Sequence, residues 1–239
     1  MPYNPSIPQD QRLPFRDSLS APQTDPQTAG RTLGHVAAVY DYLAPLMTLG
    51  TDRVHQRRVL RELQLTGTER VLDVGCGTGT LTRLIAAALS DKARSRVLGI
   101  DAASAMIAVA RRKAKNIPNI AFETALAETL PFPDGSFDRA VSTMFFHHVN
   151  FDLKKKSLAE IWRILTPNGR ALIVDVAPPT NPLGTLCAWA GYWLFQQPEI
   201  RENIEGKLEL AIRSSPFSGW RQIAHYTGYI SLFELTKQS

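Results

Sequence analysis

The sequence predicts an α/β fold, a doubly wound sheet of seven strands with a helical N-terminal cap. The sheet is mostly parallel and ends in an antiparallel C-terminal hairpin. Three observations predict it. Short apolar runs alternate with helix-period segments from Arg70 to Val176, the pattern of right-handed βαβ units around a parallel sheet. A glycine-rich turn, Gly75-Cys76-Gly77-Thr78-Gly79, follows the first of these runs directly. The last two runs lack a helix between them and are joined by Thr227-Gly228, a hairpin connection. With 239 residues, 44% hydrophobic and 21% charged, the chain can bury one substantial core.

Taken in order, residues 1–30 hold six of the sixteen prolines among Gln, Ser, Thr and Asp, and are expected to form a flexible tail. Residues 31–66 form the helical cap. There Val36, Val39, Tyr40 and Leu43 share a face before Pro45 interrupts, and a second helix over 52–63 points Val54, Leu60 and Leu63 inward. The domain proper is expected over 67–239. Its strands are predicted at 70–74, 96–100, 120–123, 137–142 and 170–176, with helices at 81–89, 104–115 and 153–165. In the last helix Leu158, Ile161, Trp162 and Leu165 face inward, and Pro167-Asn168-Gly169 stops it. The hairpin strands are predicted at 219–226 and 229–235. An apolar insertion at about 177–200 breaks the alternation. After Pro178, Pro179 and Pro182 it places Leu186, Trp189, Ala190, Trp193 and Leu194 near helical spacing, just past a strand's carboxyl end.

Composition narrows the function classes. A net charge of +5 is mild, and the clusters Arg111-Arg112-Lys113 and Lys154-Lys155-Lys156 lack interleaved aromatics, so they read as exposed helix faces and no nucleic-acid partner is expected. Cys76 and Cys187 are too few for a disulfide framework or a zinc site, and no metal cluster is expected. No basic stretch followed by an apolar core opens the chain, and the run 183–195 is too short to cross a bilayer, so a cytoplasmic protein is the expectation. The basic balance and the apolar segment permit peripheral membrane contact without requiring it.

In a doubly wound sheet the first strand delivers the chain to the ligand crevice, and glycines let a ligand approach the backbone. A pyrophosphate-binding turn spaces its glycines as G-x-G-x-x-G. Here they fall at 75, 77 and 79, and Asp73 stands where it would repel a pyrophosphate and suit a cation. No Walker lysine follows. Asp101 ends the second strand, 28 residues on, where a carboxylate accepts both hydroxyls of a ribose. A nicotinamide-dependent oxidoreductase shares this sheet but not this glycine spacing. A non-catalytic cofactor-binding module stays open as a further alternative.

Four stretches, "VLDVGCGTGTLT", "GIDAASAMIAVAR", "AETLPFPDGSFDRAVS" and "LAEIWRILTPNGRALIVDVAPP", resemble in order the motifs of the class I S-adenosylmethionine-dependent methyltransferases. Within that superfamily the chain resembles the ubiquinone/menaquinone-biosynthesis group, whose opening segment is similar to "HVAAVYDYLAPLMTLG". The resemblance implies a Rossmann-like sheet and S-adenosylmethionine as cofactor. By position, it implies that Gly75, Cys76, Gly77 and Gly79 cradle the methionine part and that Asp73 holds its amino end. Asp101 would take the ribose hydroxyls, with Ala102 and Met106 beside the adenine and Ala127 and Glu128 at its edge. Ser142 would face the sulfonium, and Tyr40 would close over the cofactor. Many relatives carry Asp one residue before the Ala-Glu pair to accept from the adenine amino group; this chain has Leu126, so apolar contact and backbone groups must serve there.

A sulfonium methyl is already activated, and in-line positioning of the acceptor supplies much of the rate. An oxygen or carbon acceptor still has a proton to lose. His147 and His148, just past the fourth strand, are the candidate bases, with His148 preferred and His35 and Asp175 in reserve. The acceptor is expected to be a small apolar or quinone-like molecule, with His35, Trp189 and Trp193 as candidate contacts. Oligomeric state has no signature in the sequence.

Overall fold

The computed structural model describes residues 25–34, 37 and 50–238. The first predicted cap helix, with Val36, Val39, Tyr40 and Leu43, lies outside these residues, as does His35. Chain order runs α1 (Asp52–Glu62), β1 (Arg70–Val74), α2 (Thr80–Ala88), β2 (Arg96–Asp101), α3 (Ser104–Lys113), β3 (Ile120–Thr124) and β4 (Phe137–Thr143). It continues through a 3-10 turn (Phe146–His148), α4 (Phe151–Ile164), β5 (Leu165–Val176), α5 (Pro182–Phe195), α6 (Pro198–Ile204), α7 (Lys207–Arg213), β6 (Gly219–Tyr226) and β7 (Ile230–Thr236).

The seven strands form one sheet in the order β3-β2-β1-β4-β5-β7-β6. Pairings among β1 to β5 are parallel, whereas β7 runs antiparallel to both β5 and β6. Strand order reverses at β1, which pairs with β2 on one side and β4 on the other. That switch point fixes a crevice at the carboxyl ends of the two strands.

Strand periodicity sends alternate residues to opposite layers. Leu72 and Val74 join the core formed with Leu158 and Ile161 of α4 and Leu208 and Ile212 of α7. Val71 joins the other, with Val59 of α1, Ile85 of α2, Ala188 of α5 and Ile204 of α6. Asp73 shares the parity of Val71, which brings it against α2.

Several sequence expectations are corrected. Of the stripe expected inward around α1, Leu63 is buried and Leu60 packs partly against the core, but Val54 is half exposed and His55 and Val59 take the buried positions. β5 begins at Leu165, which pairs with Phe137; the chain then bulges through Pro167-Asn168-Gly169 and rejoins β4 at Arg170. Asn168, at φ 63°, makes that bulge. Lys154 is not on a solvated face. It is fully buried, donating to the Val149 carbonyl and pairing at 2.9 Å with Glu202 of α6. The insertion is helical as α5, yet Leu183, Leu186, Trp193 and Leu194 face solvent and only Gly184 and Ala188 are buried. Gly184 is there because α5 packs on the hairpin turn: a Cβ would stand 2.2 Å from the Gly228 carbonyl oxygen.

Candidate functional site

A solvent-open cleft of about 670 Å³ lies at the switch point. Its walls come from the carboxyl ends of four strands: Gly75 and Gly77 after β1, Asp101 and Ala102 at β2, Ala125 to Glu128 after β3, and Met144, Phe145, His148 and Val149 after β4. Met106 of α3 adds an apolar floor. The N-terminal segment completes it with Thr28, Gly30, Arg31, Thr32 and Leu33. Residues 25–30, expected at the end of a flexible tail, are instead tied across the cleft. Thr28 Oγ1 donates to Glu128 Oε1 at 2.7 Å, the Ser104 amide to Asp25 Oδ1 at 2.7 Å, and the Arg31 amide to the His148 carbonyl at 3.0 Å. The composition of a proline-rich tail offered no signal for these bonds.

The glycine loop is held from below. The Cys76 amide donates to the Ile100 carbonyl at 2.8 Å, and the Gly77 amide to Asp101 Oδ2 at 3.0 Å. Gly75 has φ 71°, and a Cβ there would come within 2.7 Å of Phe145 Cβ, so only glycine lets β1 turn against the cleft. Gly79, also left-handed at φ 76°, ends the loop against the Phe122 ring and does not line the cleft. Cys76 does not line it either.

Two carboxylates lie under the loop. Asp101 accepts from the Gly77 and Ala103 amides with its two oxygens, and burial raises its pKa. Asp73 is buried and, like Cys76 and Gly79, does not itself line the cleft. Thr82 Oγ1 donates to its Oδ2 at 2.6 Å, while Oδ1, equally buried, has no hydrogen-bond partner. Burial pushes the Asp73 carboxyl up to about 7, with Asp101 adding to the rise. A buried acceptor with nothing to accept from, under a loop that excludes side chains, fits the ammonium of an amino-acid ligand.

Beyond β4 the two histidines divide. Asp175, at the end of β5, accepts from His147 Nδ1 at 2.8 Å, the Phe146 amide at 2.7 Å, the Val176 amide and Asn203 Nδ2. Burial alone would raise this carboxyl; His147 and these donors outweigh it, and its pKa is lowered. His147 is thereby anchored behind the cleft, whereas His148 lines it. His148 Nδ1 meets Gln197 Oε1 at 3.0 Å, and burial, reinforced by the adjoining His147, holds the imidazole down to about 3. It is a neutral ring at every physiological pH.

Of the residues expected at the site, Gly75, Gly77, Asp101, Ala102, Met106, Leu126, Ala127, Glu128 and His148 line one cleft. Ser142 does not reach it; its Oγ donates to the Val74 carbonyl at 2.9 Å, tying β4 to β1, and Met144 takes the wall position instead. Trp189 and Trp193 also stand apart, the first packed against the α5 side of the core and the second exposed. Tyr40 and His35 lie outside the described residues. Among the described residues no acidic, histidine or cysteine cluster could hold a metal ion, and no helix is long and apolar enough to cross a membrane.

Residues 71–169 match the family described as methyltransferase domain. The chain is 36% identical over 171 residues to a demethylmenaquinone methyltransferase of Deinococcus radiodurans, covering 70% of this chain and 68% of that relative. It is 37% identical over 153 residues to a ubiquinone/menaquinone biosynthesis C-methyltransferase of Citrifermentans bemidjiense, and spans 63% of that relative's length and 63% of its own. Among solved structures, a SAM-dependent methyltransferase from Aquifex aeolicus shares the fold with TM-score 0.59 and 20% identity, over 86% of this chain and 99% of the other. Phosphoethanolamine N-methyltransferase 2 of Haemonchus contortus does so with TM-score 0.65 and 16% identity, over 86% and 57%.

Proposed function

The chain belongs to the S-adenosylmethionine-dependent methyltransferase family, and from that premise we propose that it moves a methyl group to a carbon or oxygen of a small quinone-like acceptor. One observation carries the reading: a single cleft is lined by Asp101, the glycine loop and a buried neutral imidazole, His148. S-adenosylmethionine, when bound, supplies a methyl group already activated by its sulfonium. The residues here fit that molecule, since Asp73 Oδ1 is a buried acceptor lacking a donor and Asp101 ends β2 inside the cleft.

Asp101 would accept the ribose hydroxyls, keeping its two amide bonds, because each carboxylate oxygen has a second lone pair. Met106, Ala102 and Leu126 would hold the adenine by apolar contact. His148 would accept the proton that the acceptor must shed. A quinone ring is electron-poor, so a carbon acceptor would react as the reduced quinol. The ring carbon would give an electron pair to the methyl carbon as its bond to sulfur breaks, and the hydroxyl proton would pass to His148. The hydrogen on the methylated carbon would then leave as the oxygen regains a proton, restoring the aromatic ring with one proton released in all. Neutrality at His148 also spares the site a second cation beside the sulfonium.

Leu183, Leu186, Trp193 and Leu194 on α5 form an exposed apolar face without a charged residue between Pro182 and Phe195. This supports a chain that touches a membrane peripherally, where an apolar quinol dissolves.

The test is transfer of labelled methyl from S-adenosylmethionine to a demethylated menaquinol in mixed micelles, beside calorimetric titration with S-adenosylhomocysteine. Binding with transfer to the quinol is expected. Absence of S-adenosylhomocysteine binding to the folded protein would overturn the methyltransferase reading, and binding without transfer would overturn the quinol.

A further inference from the structure

We propose that Gln197 is a positioning residue that fixes the tautomer of His148, keeping Nδ1 protonated and turning an unprotonated Nε2 toward the cleft. The proposal rests on the reading of His148 as the proton acceptor.

Gln197 stands at the junction the apolar insertion creates. α5 ends in Gln196 with a left-handed backbone at φ 50°, and Gln197 follows as the N-cap position of α6. The short side chains of Ser, Thr, Asp or Asn at such a position turn back to cap the helix, whereas the longer Gln reaches outward. This one makes no capping hydrogen bond; its Oε1 meets His148 Nδ1 at 3.0 Å, and both side chains are buried. The helix carrying it is fixed from below, since Ile200 and Ile204 sit in the core and Asn203 Nδ2 donates to Asp175. The position of the amide is therefore set by packing.

The two neighbouring histidines use the same atom for different partners. His147 gives Nδ1 to the Asp175 carboxylate; His148 gives Nδ1 to a neutral amide, with ring centroids 4.0 Å apart. An amide oxygen accepts a hydrogen bond from the N–H of a neutral ring and stabilises an imidazolium less than a carboxylate would. Fixing the proton on Nδ1 leaves the lone pair on Nε2, the His148 nitrogen that shows no hydrogen bond among the described residues. The titratable and charged groups around His148 are His147 on its own turn, Asp175 of β5, Arg31 of the N-terminal segment with Glu199 of α6, and the Lys154–Glu202 pair of α4 and α6. His147 and Arg31 oppose a proton on His148, and the Gln197 hydrogen bond and Asp175 favour one. On this account the insertion, read from sequence as an acceptor pocket, serves to deliver one amide to the base.

Nitrogen-15 NMR of imidazole-labelled protein reads the tautomer directly, with the His148 signals identified by their loss in His148→Gln. At about pH 7.5 the wild type should show Nδ1 protonated and Nε2 unprotonated. Gln197→Met should move the proton toward Nε2 and lower kcat by roughly 10- to 100-fold, with S-adenosylhomocysteine affinity held within about twofold. Gln197→Glu should restore the Nδ1 proton and shift the acid limb of the pH–rate profile upward by about one unit or more. A wild-type ring protonated on Nε2, or a tautomer and kcat unmoved in Gln197→Met, would overturn the proposal. The wild-type measurement needs no variant to fold. Should S-adenosylhomocysteine fail to bind, the methyltransferase reading falls by itself, while the tautomer result still decides Gln197.

Discussion

Thr82 Oγ1 donates a 2.6 Å hydrogen bond to one oxygen of Asp73 and leaves the other oxygen buried without a partner. The pair places a half-satisfied acid beneath the glycine loop, with its pKa pushed up to about 7 by burial.

A ligand ammonium drawn to that oxygen must expel the proton. S-adenosylhomocysteine affinity should therefore rise by about tenfold from pH 6 to pH 8, with net proton release seen by calorimetry in buffers of different ionisation enthalpy. For the ligand-free fold the sign is opposite. A raised carboxyl pKa contributes stability present below the unfolded value near 3.8, lost as pH rises through about 7. Asp73→Asn should thus remove the pH dependence of binding and raise Tm at pH 8. A pH-independent affinity in the wild type would refute this role for Asp73.

Leu126 lines the cleft, and the family resemblance places it where many relatives carry an acid that reads the adenine amino group. Without that acceptor the site has little means of discriminating position 6 of the purine. S-inosylhomocysteine should bind within about fivefold of S-adenosylhomocysteine, and Leu126→Asp should open the gap to roughly 10-fold or more, a charge-assisted hydrogen bond's worth. Equal discrimination by wild type and variant in competition titrations would show that backbone groups alone read the base.

The histidines should separate by assay. His148→Ala should lower kcat on the order of 100-fold with binding intact, whereas His147→Ala should cost roughly 1–3 kcal/mol of stability by stripping the buried Asp175 carboxylate of one of its hydrogen-bond donors. The folded pKa of His148, about 3, lies below its unfolded 6.5, so the unfolded chain takes up a proton that the folded ring refuses. Stability is then lost as pH falls below 6.5, by about 2 kcal/mol at pH 5. Urea midpoints at the two pH values should fall further for the wild type than for His148→Gln. Parallel losses would remove His148 from the acid response.

Lys154 and Glu202 should respond asymmetrically. The ammonium is fully buried and the carboxylate is 28% exposed. Glu202→Ala leaves a buried charge alone and should cost roughly 3 kcal/mol; Lys154→Met removes that charge, leaves Glu202 to water, and should cost less than about 1 kcal/mol. Chemical denaturation of both variants measures the difference, and equal losses would contradict it.

Much of the cleft could be read from sequence because its chemistry sits on consecutive residues. Asp73 and the glycines at 75, 77 and 79 lie within one strand-turn-helix unit, and Asp101 ends the next strand, so spacing alone brings them together. The N-terminal strap could not be read this way. Thr28 and Glu128 are 100 residues apart, and a threonine in a proline-rich stretch carries no sign of its partner. The short helices α6 and α7, of seven residues each, are below the length at which apolar periodicity shows. Lys154 was misplaced because three consecutive lysines look alike until a helix assigns each to a face.

The amino-acid sequence by itself determined the seven-stranded sheet, the family and the carboxylates under the glycine loop, because local spacing and strand order suffice for them. Only the tertiary structure decided which histidine faces the cleft, that Ser142 and the α5 tryptophans do not, and that Gln197 meets the base. Those are contacts between segments far apart in the chain, where burial and packing, not periodicity, choose the partner.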